Sequence, residues 1–381
     1  MGYDIQKWIW QQADWPHFVW QEQQVQPVLR QVRLTLGILL GKASTSSNIS
    51  SPELALETLL QNIITSSAIE GESLNAQSLR SSLAKRLGVS EETPYPVSER
   101  TEGLSNIMFD VISHINSPLT IERLLTWHTW LFPTSEPMWQ KIAVGQLRGH
   151  EPMQVVSGRI DKPTIHFEAP PRAVLTSELQ QFIDWFEQSR HNTLLDPLLR
   201  AAICHLWFVT LHPFDDGNGR LTRALTDLAL AQADQQSIRL YAMSATILAK
   251  RNEYYHILEQ SQRGTLDITA WLLWFLQTLA AALQNTLSSI ERTMLKKYFW
   301  QVYYDAGLLP EQIKVLNRLL EGGETGFELG ISAAQYQKVA KVSKATATRH
   351  LSDLVLKKCL IKLEGGGRNT RYQINKMVTL C

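Results

Sequence analysis

Two neighbouring stretches near the middle of the chain have the apolar spacing of buried helices. From Pro197 to Leu211, apolar residues recur at helical spacing in an almost uncharged segment, which predicts a helix buried on most of its surface. Pro213 ends this pattern, because proline lacks the backbone N–H that a continuing helix needs. Apolar residues resume at helical spacing from Leu221 to Leu228. A second helix is therefore predicted to begin near Gly219.

Three further segments follow a helical pattern. The run from Leu54 to Ile64 and the segment from Arg251 to His256 are both helix-like. The longest uncharged run, Ile268 to Ile290, is long enough to span a bilayer, but it contains three amide side chains and several hydroxyls. It is predicted to be a core helix, and no membrane association is expected.

Residues 145 to 171 lose this periodicity. Glycines, prolines and the Val155-Val156 pair indicate short extended pieces and a hairpin. A surface loop that contacts no substrate is the alternative.

The C-terminal part of the chain predicts four elements in a fixed order. Ser332 to Ala340 is predicted to form a short helix, and Ser343 is predicted to cap a second helix from Lys344 to Lys357. Leu360 to Leu363 and Thr370 to Ile374 flank a glycine-rich turn and are predicted to form a hairpin. Helix, turn, helix and hairpin are the outline of a winged helix.

The first fifty residues are rich in tryptophan and glutamine. Trp8, Trp10, Trp15 and Trp20 lie close together, so this segment is expected to pack against the rest of the protein or against a partner. A polar connection, Lys42 to Ser51, follows it.

Composition places few limits on function. The 381 residues suffice for two or three domains, and 44% hydrophobic with 19% charged residues is a globular composition. The three cysteines are widely spaced and form no metal-ligand pattern. Because no secretory signal pattern is apparent either, a cytoplasmic location is expected.

The net charge of +1 conceals a strong asymmetry. Tyr336 to Lys376 contains ten lysines and arginines against two acidic residues, whereas the rest contains 27 basic and 34 acidic residues. A basic winged helix is typical of nucleic-acid binding, although a protein-interaction or dimerisation module with a solvated basic face is the alternative. In the first case the groove and phosphate contacts are expected from Lys344, Thr346, Thr348, Arg349, Arg368 and Arg371.

The segment from His212 to Arg223 reads His-Pro-Phe-Asp-Asp-Gly-Asn-Gly-Arg-Leu-Thr-Arg and lies between the two buried helices. Its glycines let a ligand approach the backbone at a helix N-terminus, where free N–H groups and the helix dipole favour an anion. Arg220 and Arg223, three residues apart, are expected to converge on that anion. His212 is suited to accept a hydroxyl proton near neutral pH. Asp216 supplies the oxygen that a Mg²⁺ ion bridging phosphates would use.

This segment resembles the signature of the Fic (filamentation induced by cAMP) family, His-x-Phe-x-Asp/Glu-Gly-Asn-Gly-Arg-x-x-Arg, at every fixed position. The resemblance implies a mainly α Fic/Fido core with a β-hairpin, an N-terminal helical extension and a C-terminal winged helix. It also implies transfer of AMP from ATP to a hydroxyl of a protein, releasing pyrophosphate. His212 would be the general base, Asp216 the metal ligand, and Gly217, Asn218, Gly219 and Arg220 the phosphate cradle, with Arg223 holding the gamma-phosphate.

A second string, Ser66-Ser67-Ala68-Ile69-Glu70-Gly71, looks like the inhibitory Ser/Thr-x-x-x-Glu-Gly/Asn motif of many Fic proteins. A carboxylate at Glu70 would pair with Arg223 and occupy the charge that binds the gamma-phosphate. Ser66 and Gly71 complete the motif. The alternative is an ordinary glutamate near a helix end that Gly71 caps.

Two more assignments follow from the resemblance. In Fic proteins a hairpin called the flap covers the nucleotide and aligns the target by strand addition, and its candidates are Val155, Val156, Ser157 and Gly158. Tyr255 and Gln262 would line the adenine pocket, although the family has asparagine at the second position. Tyr254 and Tyr255 are equally suited to be core aromatics.

Two functions from different classes compete for the whole chain. The first is an autoinhibited protein adenylyltransferase that modifies a Ser, Thr or Tyr hydroxyl of another protein or of itself, and similar proteins are often homodimers. The second is a DNA-binding transcriptional regulator whose Fic fold senses a nucleotide. Removal of AMP, or transfer of another nucleotide, stays open. The predicted domains are residues 1–90, 91–290 and 300–381.

Overall fold

The computed structural model describes residues 8–45, 52–133, 142–159, 162–234, 240–322, 327, 329–363 and 370–375. Within these ranges the protein is mainly helical, with fourteen α-helices and two small antiparallel hairpins, as the sequence predicted. The chain forms two compact units, Met1–Gln284 and Asn285–Cys381. The three predicted domains stay a prediction.

The first unit is built from helices of very different lengths. They follow a short 3₁₀ helix at Ile9–Gln11, and the last one continues past the boundary between the units. They are α1 (Glu22–Thr45), α2 (Pro52–Ile69), α3 (Ala76–Leu87), α4 (Glu99–Ser113), α5 (Ile121–Leu131), α6 (Arg172–Ser189), α7 (Pro197–Leu211), α8 (Asn218–Asp234), α9 (Met243–Ala249), α10 (Arg251–Gln262) and α11 (Thr269–Val302).

Helix α7 lies in the core of this unit. Every residue from Leu198 to Leu211 is buried, which agrees with the uncharged sequence. The helix begins sharply because the Asp196 carboxylate accepts the Leu198 N–H at 2.8 Å and Pro197 occupies the first position, where an N–H has no helical partner. It packs extensively against α8. The two buried helices predicted from apolar spacing are therefore confirmed.

A hydrogen-bonded chain crosses this core. The Nδ1 and Nε2 atoms of His205 lie 2.9 Å from Thr226 Oγ1 and 2.9 Å from the Tyr254 hydroxyl. Burial, reinforced by the charge of Arg223, lowers the pKa of His205 to about 3. The imidazole is therefore neutral at neutral pH, and two hydroxyl partners can satisfy its one donor and one acceptor nitrogen.

The N-terminal tryptophans attach to the same unit. Trp10 Nε1 donates to the Glu168 carbonyl at 2.7 Å, and Trp15 Nε1 donates to Glu178 at 2.8 Å. The Trp15 ring also packs edge-on against Trp207 of α7. This segment therefore packs on the rest of the first unit, which was one of the two expectations for it.

The hairpin expected between residues 145 and 171 is present. Strand β1 (Gln154–Arg159) pairs antiparallel with β2 (Lys162–Glu168). The register shifts between Val155, opposite Phe167, and Val156, opposite Ile165. His166 is thus the extra residue of a β-bulge, a feature that turns a side chain out of the regular alternation.

In the described part of the second unit, three helices and a short hairpin follow α11. Helices α13 and α14 begin at the caps Ser332 and Ser343, whose hydroxyls accept N–H groups three residues later. Buried residues of all three helices and both strands form one core. The elements are α12 (Pro310–Glu321), α13 (Ala333–Ala340), α14 (Lys344–Leu356), β3 (Leu360–Lys362) and β4 (Tyr372–Ile374).

The predicted order of helix, turn, helix and hairpin in this unit is therefore found. The predicted winged-helix identity of the unit stays a prediction, and Arg368 lies outside the described residues. Two buried cysteines, Cys204 and Cys359, are free thiols, and the third cysteine, Cys381, also lies outside the described part.

Among the helices that the structure describes, none combines the length and apolarity needed to cross a membrane.

We expect acid to destabilise the fold through His205. The pKa of His205 is about 3 in the folded protein and has an ordinary value of 6.5, so at lower pH the unfolded chain binds a proton that the folded chain does not. The contribution of His205 to stability is complete above its pKa in the unfolded chain and is lost as the pH falls toward its pKa in the folded protein. The free energy of unfolding should fall by up to about 1.4 kcal/mol per pH unit for this residue.

Urea unfolding at several pH values between about 7 and about 5 measures this slope. The His205→Gln variant should show a shallower slope, while His17→Gln, which changes an exposed histidine, should keep it. An identical slope in His205→Gln and the unmodified protein would contradict the assignment.

Candidate active site

The loop between α7 and α8 has an unusual backbone. Helix α7 ends at Leu211 and is followed by His212, which adopts a left-handed conformation with φ 47°. Gly217 has φ 81°, and a Cβ there would lie 2.5 Å from the Leu131 side chain and 2.9 Å from the Phe132 ring. Position 217 therefore requires glycine for its conformation and for its space.

Asn218 and Phe214 hold the loop in one shape. The Asn218 side chain accepts the Phe214 N–H at 3.0 Å and donates to the Phe214 carbonyl at 2.8 Å. The buried Phe214 ring stacks on His128 with ring centres 4.3 Å apart. The Asn218 side chain is therefore engaged with the loop itself, so its part in a phosphate cradle would come from its backbone at the start of α8.

His212 presents a neutral ring to the site. Its Nδ1 lies 3.2 Å from the Val209 carbonyl, which can only accept, so Nδ1 carries the proton and Nε2 is the basic nitrogen. Burial lowers the pKa of His212 to about 4, and the Arg148 charge acts in the same direction, while the bond to Val209 opposes it. At neutral pH the imidazole is thus unprotonated and able to take a proton.

Arg148 is a contact of this loop that the sequence did not indicate. It is 2% exposed, its Nε donates to the His212 carbonyl at 2.8 Å, and its backbone N–H donates to the Pro213 carbonyl at 3.0 Å. Its Nη2 donates to the carbonyl of Pro170. The guanidinium therefore ties the backbone just after α7 to the segment just before α6. A single arginine in a glycine-rich stretch carries no pattern that predicts this.

Arg223 is almost completely enclosed, with 3% of its surface exposed. Its Nη1 lies 2.8 Å from Glu70 Oε1, an ion pair rather than an aligned hydrogen bond. Its Nε donates to Ser66 Oγ at 2.8 Å and its Nη2 to the Ser66 carbonyl at 2.9 Å. The structure thus brings together the predicted partners Glu70, Ser66 and Arg223.

Glu70 directly follows Ile69, the last residue of α2. Burial raises the pKa of this carboxyl, but the contact with Arg223, the charge of Arg220 and the Tyr255 hydroxyl together outweigh that effect and lower the pKa below its ordinary value. Gly71 follows with φ 80°. The Ile69 carbonyl accepts from Arg251 Nε at 2.6 Å, so α10 fixes the position of this helix end.

Arg220 faces a different carboxylate, Glu72. The Nη1 atom of Arg220 lies 2.7 Å and 2.6 Å from the two Glu72 oxygens, and Arg100 Nη2 lies 2.7 Å from Glu72 Oε2. The sequence predicted that Arg220 and Arg223 converge on one anion, whereas in this structure each arginine pairs with a carboxylate of its own. Glu72 and Arg100 were not predicted. The sequence feature that could have identified Glu72 is its position two residues after Glu70.

Gly219 lies directly beneath the Glu70 carboxylate. A Cβ at this position would be 2.1 Å from Glu70 Oε1 and 3.2 Å from Arg223 Nη1. The carboxylate therefore occupies the space over the first turn of α8, where the sequence predicted phosphate.

Asp216 is the predicted metal ligand. Its side chain is 51% exposed, and Oδ1 accepts the Gly217 N–H at 2.5 Å and lies 3.5 Å from Arg220 Nη2. Within the described ranges, no group of three or more His, Cys, Asp or Glu side chains is arranged to hold a metal. One carboxylate beside an anion site fits a Mg²⁺ ion whose other ligands are phosphate and water.

The two adenine-pocket candidates have different surroundings. The Tyr255 hydroxyl lies 3.2 Å from the Ile69 carbonyl and 3.4 Å from Glu70 Oε2, so Tyr255 belongs to the wall around Glu70. Gln262 is buried and donates to Thr210 Oγ1 of α7 at 3.3 Å. Tyr254 is a core aromatic.

The flap candidates Val155, Val156, Ser157 and Gly158 all lie on β1 and are exposed. Among the described residues β1 pairs with β2 alone, and an exposed strand with one unpaired edge is the geometry that strand addition by a peptide requires.

The candidate nucleic-acid contacts of the second unit are only partly at its surface. Lys344, Thr348 and Arg349 are exposed on α14, while Thr346 is half-buried beside its N-cap. Arg371 Nη1 donates to the Gly330 carbonyl at 2.8 Å. It is therefore already engaged within the unit.

Comparison with known proteins identifies two regions. Residues 118–230 match the family described as Fic/DOC, and residues 8–89 match a domain of unknown function, DUF4172. The first match contains the loop and both arginines, and the second contains Glu70 and Glu72.

Two similar proteins carry a functional name. The chain is 28% identical over 287 residues to the protein adenylyltransferase Fic of Drosophila yakuba, a match that covers 74% of this chain and 48% of the relative. The protein of the same name from Drosophila virilis is 27% identical over 285 residues, 73% of this chain and 50% of the relative. The chain thus spans about half the length of these relatives.

A solved structure has a similar fold. A Fic family protein from Desulfovibrio desulfuricans G20 superposes with a TM-score of 0.51 and 18% identity, covering 92% of this chain and 95% of that one.

Proposed function

Because residues 118–230 form a Fic/DOC family domain, we propose that the protein transfers AMP from ATP to a hydroxyl side chain of a protein and that its own Glu70 inhibits this reaction. The observation that carries the proposal is the ion pair of Glu70 with Arg223 above Gly219, because it puts a carboxylate where the motif expects a phosphate. The names of the Drosophila relatives support the same reaction class.

The chemistry follows from the groups around the loop. The Nε2 atom of His212 takes the proton of the attacking hydroxyl, whose oxygen bonds to the α-phosphorus as pyrophosphate leaves. The backbone at the N-terminus of α8 and the guanidinium groups of Arg220 and Arg223 hold the phosphates. Asp216 would hold a Mg²⁺ ion, which supplies charge neutralisation at the phosphates when it is bound. Val155 to Gly158 would align the target chain by strand pairing.

Inhibition follows from charge and space together. Arg223 is enclosed, so it needs a negative partner whether or not nucleotide is present. Glu70 supplies that partner in the nucleotide-free protein and covers Gly219. ATP would therefore bind with its gamma-phosphate displaced and its α-phosphate out of line with the hydroxyl.

Glu72 extends this inhibition to the other arginine. It is held between Arg220 and Arg100 and belongs to the same short segment as Glu70. Productive ATP binding would then require both carboxylates to withdraw from the two motif arginines.

A second candidate function is nucleic-acid binding by the second unit. The observation in its favour is the exposure of Lys344, Thr348 and Arg349 on α14, within a segment that carries ten basic and two acidic residues. Such residues give salt-dependent affinity for a phosphate backbone without specifying sequence.

The central prediction concerns Glu70 and His212. In Glu70→Gly, Arg223 becomes available to the gamma-phosphate, so AMP transfer should rise at least roughly tenfold; His212→Ala in the same background should lower it by roughly 10²- to 10⁴-fold. Labelled ATP with Mg²⁺ and mass spectrometry of protein-bound AMP measure both effects. Glu57→Gly, which removes another arginine-paired carboxylate from α2, is the matched control.

Equal transfer by Glu70→Gly and the unmodified protein would remove the inhibitory role of Glu70. Absence of protein-bound AMP from both proteins would remove the transferase activity.

A second prediction separates the two carboxylates. Glu72→Gln alone should leave AMP transfer low because Glu70 still covers Gly219. Added to Glu70→Gly it should lower the KM for ATP about three- to tenfold, because Arg220 loses a competing charge. Initial rates at varied ATP concentration decide this, and an unchanged KM in the double variant would show that Glu72 has only a structural role.

The third prediction concerns the second unit. The full chain should retard a DNA duplex at moderate salt, and Lys344→Ala with Arg349→Ala should weaken the shift roughly tenfold or more. Lys314→Ala, which removes an exposed positive charge from α12, is the control. If no duplex is retarded at any salt concentration, nucleic-acid binding is wrong.

A further inference from the structure

The N-terminal segment, residues 8–21, holds the end of strand β2. Trp10 Nε1 donates to the Glu168 carbonyl at 2.7 Å. The Trp8 ring packs edge-on against the Phe167 ring with ring centres 5.4 Å apart, and Phe167 is 2% exposed. A hydrogen bond and a buried aromatic pair thus fix two consecutive residues of β2.

Arg263, directly after α10, connects the same segment to the middle of β2. Its guanidinium lies 5.4 Å from the centre of the Trp8 ring, which is a cation–π distance. Its Nε donates to the His166 carbonyl at 3.2 Å, and its Nη2 donates to the Ile165 carbonyl. Strand β2 is therefore held at four consecutive residues, 165–168.

Strand β1 takes its position from β2. It is exposed over most of its length and, within the described ranges, pairs with β2 alone. Its residues Gln154 and Ser157 also form side-chain hydrogen bonds with Glu168 and His166, which are both on β2. The contacts that fix β2 therefore also fix the strand that carries the flap candidates.

The base of the hairpin is also tied to the loop between α7 and α8. Arg148 Nη2 donates to the carbonyl of Pro170, two residues after β2, and Arg148 Nε donates to the His212 carbonyl at 2.8 Å. Trp10 and Arg148 thus bind the carbonyls of Glu168 and Pro170, one at each side of Ala169. The N-terminal segment therefore helps to set where the hairpin base lies relative to His212.

We propose that Trp8 and Trp10 are positioning residues for AMP transfer, because they hold the hairpin that aligns the target. The inference rests on the proposed transferase function. The contacts of these tryptophans are to β2 and Arg263, so losing them should disturb target alignment and leave ATP binding as it is. Residues 8–89 would then act on the reaction twice, through these tryptophans on the target side and through Glu70 on the nucleotide side.

Hydrogen exchange of the full-length, nucleotide-free protein tests whether the segment anchors the hairpin. Trp10→Phe keeps an aromatic ring and removes the indole N–H, so peptides from β1 and β2 should exchange roughly five- to tenfold faster while α7 keeps its protection. Trp8→Leu, which removes the ring beside Phe167 and Arg263, should have the same effect. Exchange of the hairpin at an unchanged rate in both variants would overturn the inference.

Trp20→Phe is the matched control. It removes an indole N–H from the same segment, but this N–H donates to Glu22, two residues further along the chain. Exchange of the hairpin should therefore stay as it is in the unmodified protein. Equally fast exchange of the hairpin in Trp20→Phe and Trp10→Phe would show a general effect of losing a tryptophan and would overturn the assignment to Trp10.

AMP transfer in the Glu70→Gly background tests whether the anchor serves the reaction. Adding Trp10→Phe should lower the rate of AMP transfer to protein at saturating ATP roughly three- to tenfold and leave the KM for ATP within about twofold. Trp20→Phe should change neither value. A raised KM for ATP with an unchanged rate at saturation would place the effect in the nucleotide site and overturn the inference.

The two measurements separate this inference from the transferase proposal. Faster exchange of the hairpin in Trp10→Phe with an undiminished rate of AMP transfer would show that the segment only stabilises the fold, and this inference alone would be overturned. Absence of AMP from every protein, also with Glu70→Gly, would overturn the transferase proposal and the role of the tryptophans in it together.

Discussion

A charged guanidinium that is enclosed by protein needs a negative partner, and Arg223 is such a group. Removing a charge from water costs several kcal/mol, as an order of magnitude, unless a counter-charge and hydrogen bonds compensate. Ser66 supplies two hydrogen bonds and Glu70 supplies the charge. In this structure the charge of Arg223 is therefore already compensated. In the proposed reaction a phosphate would have to provide an equivalent partner before Glu70 could leave.

The surrounding fold fixes the position of Glu70 and the position of the loop that a phosphate would contact. Helix α2 packs against α9, and its last carbonyl is held by Arg251 of α10, so Glu70 projects from a fixed point. On the other side, Arg148 and the Asn218 side chain fix the backbone that carries His212 and begins α8. A change of rotamer at Glu70 would release Arg223 and the space over Gly219.

The sequence predicted the parts of the site that depend on local patterns or on a recognisable motif. The buried helices on either side of the loop and the hairpin were expected from the spacing of apolar and turn residues. The pairing of Glu70 with Arg223 was expected from the resemblance of both motifs to those of Fic proteins. Arg148 and Arg100 were not expected, because their roles come from segments that approach only after folding. Arg220 was assigned to a phosphate and was found with Glu72, since spacing along a helix says nothing about which carboxylate a distant turn brings to it.

Gly219 also leaves the space that the Glu70 carboxylate occupies. The space above its α-carbon is the position of the Glu70 carboxylate, and even one methyl group would overlap an oxygen that now lies there. A side chain at position 219 and Glu70 in its present rotamer are therefore mutually exclusive. A chain with a larger residue at position 219 would therefore also lose the ion pair of Glu70 with Arg223. A side chain at position 219 thus requires Glu70 to leave its present rotamer, whereas a change at Glu70 places no demand on position 219.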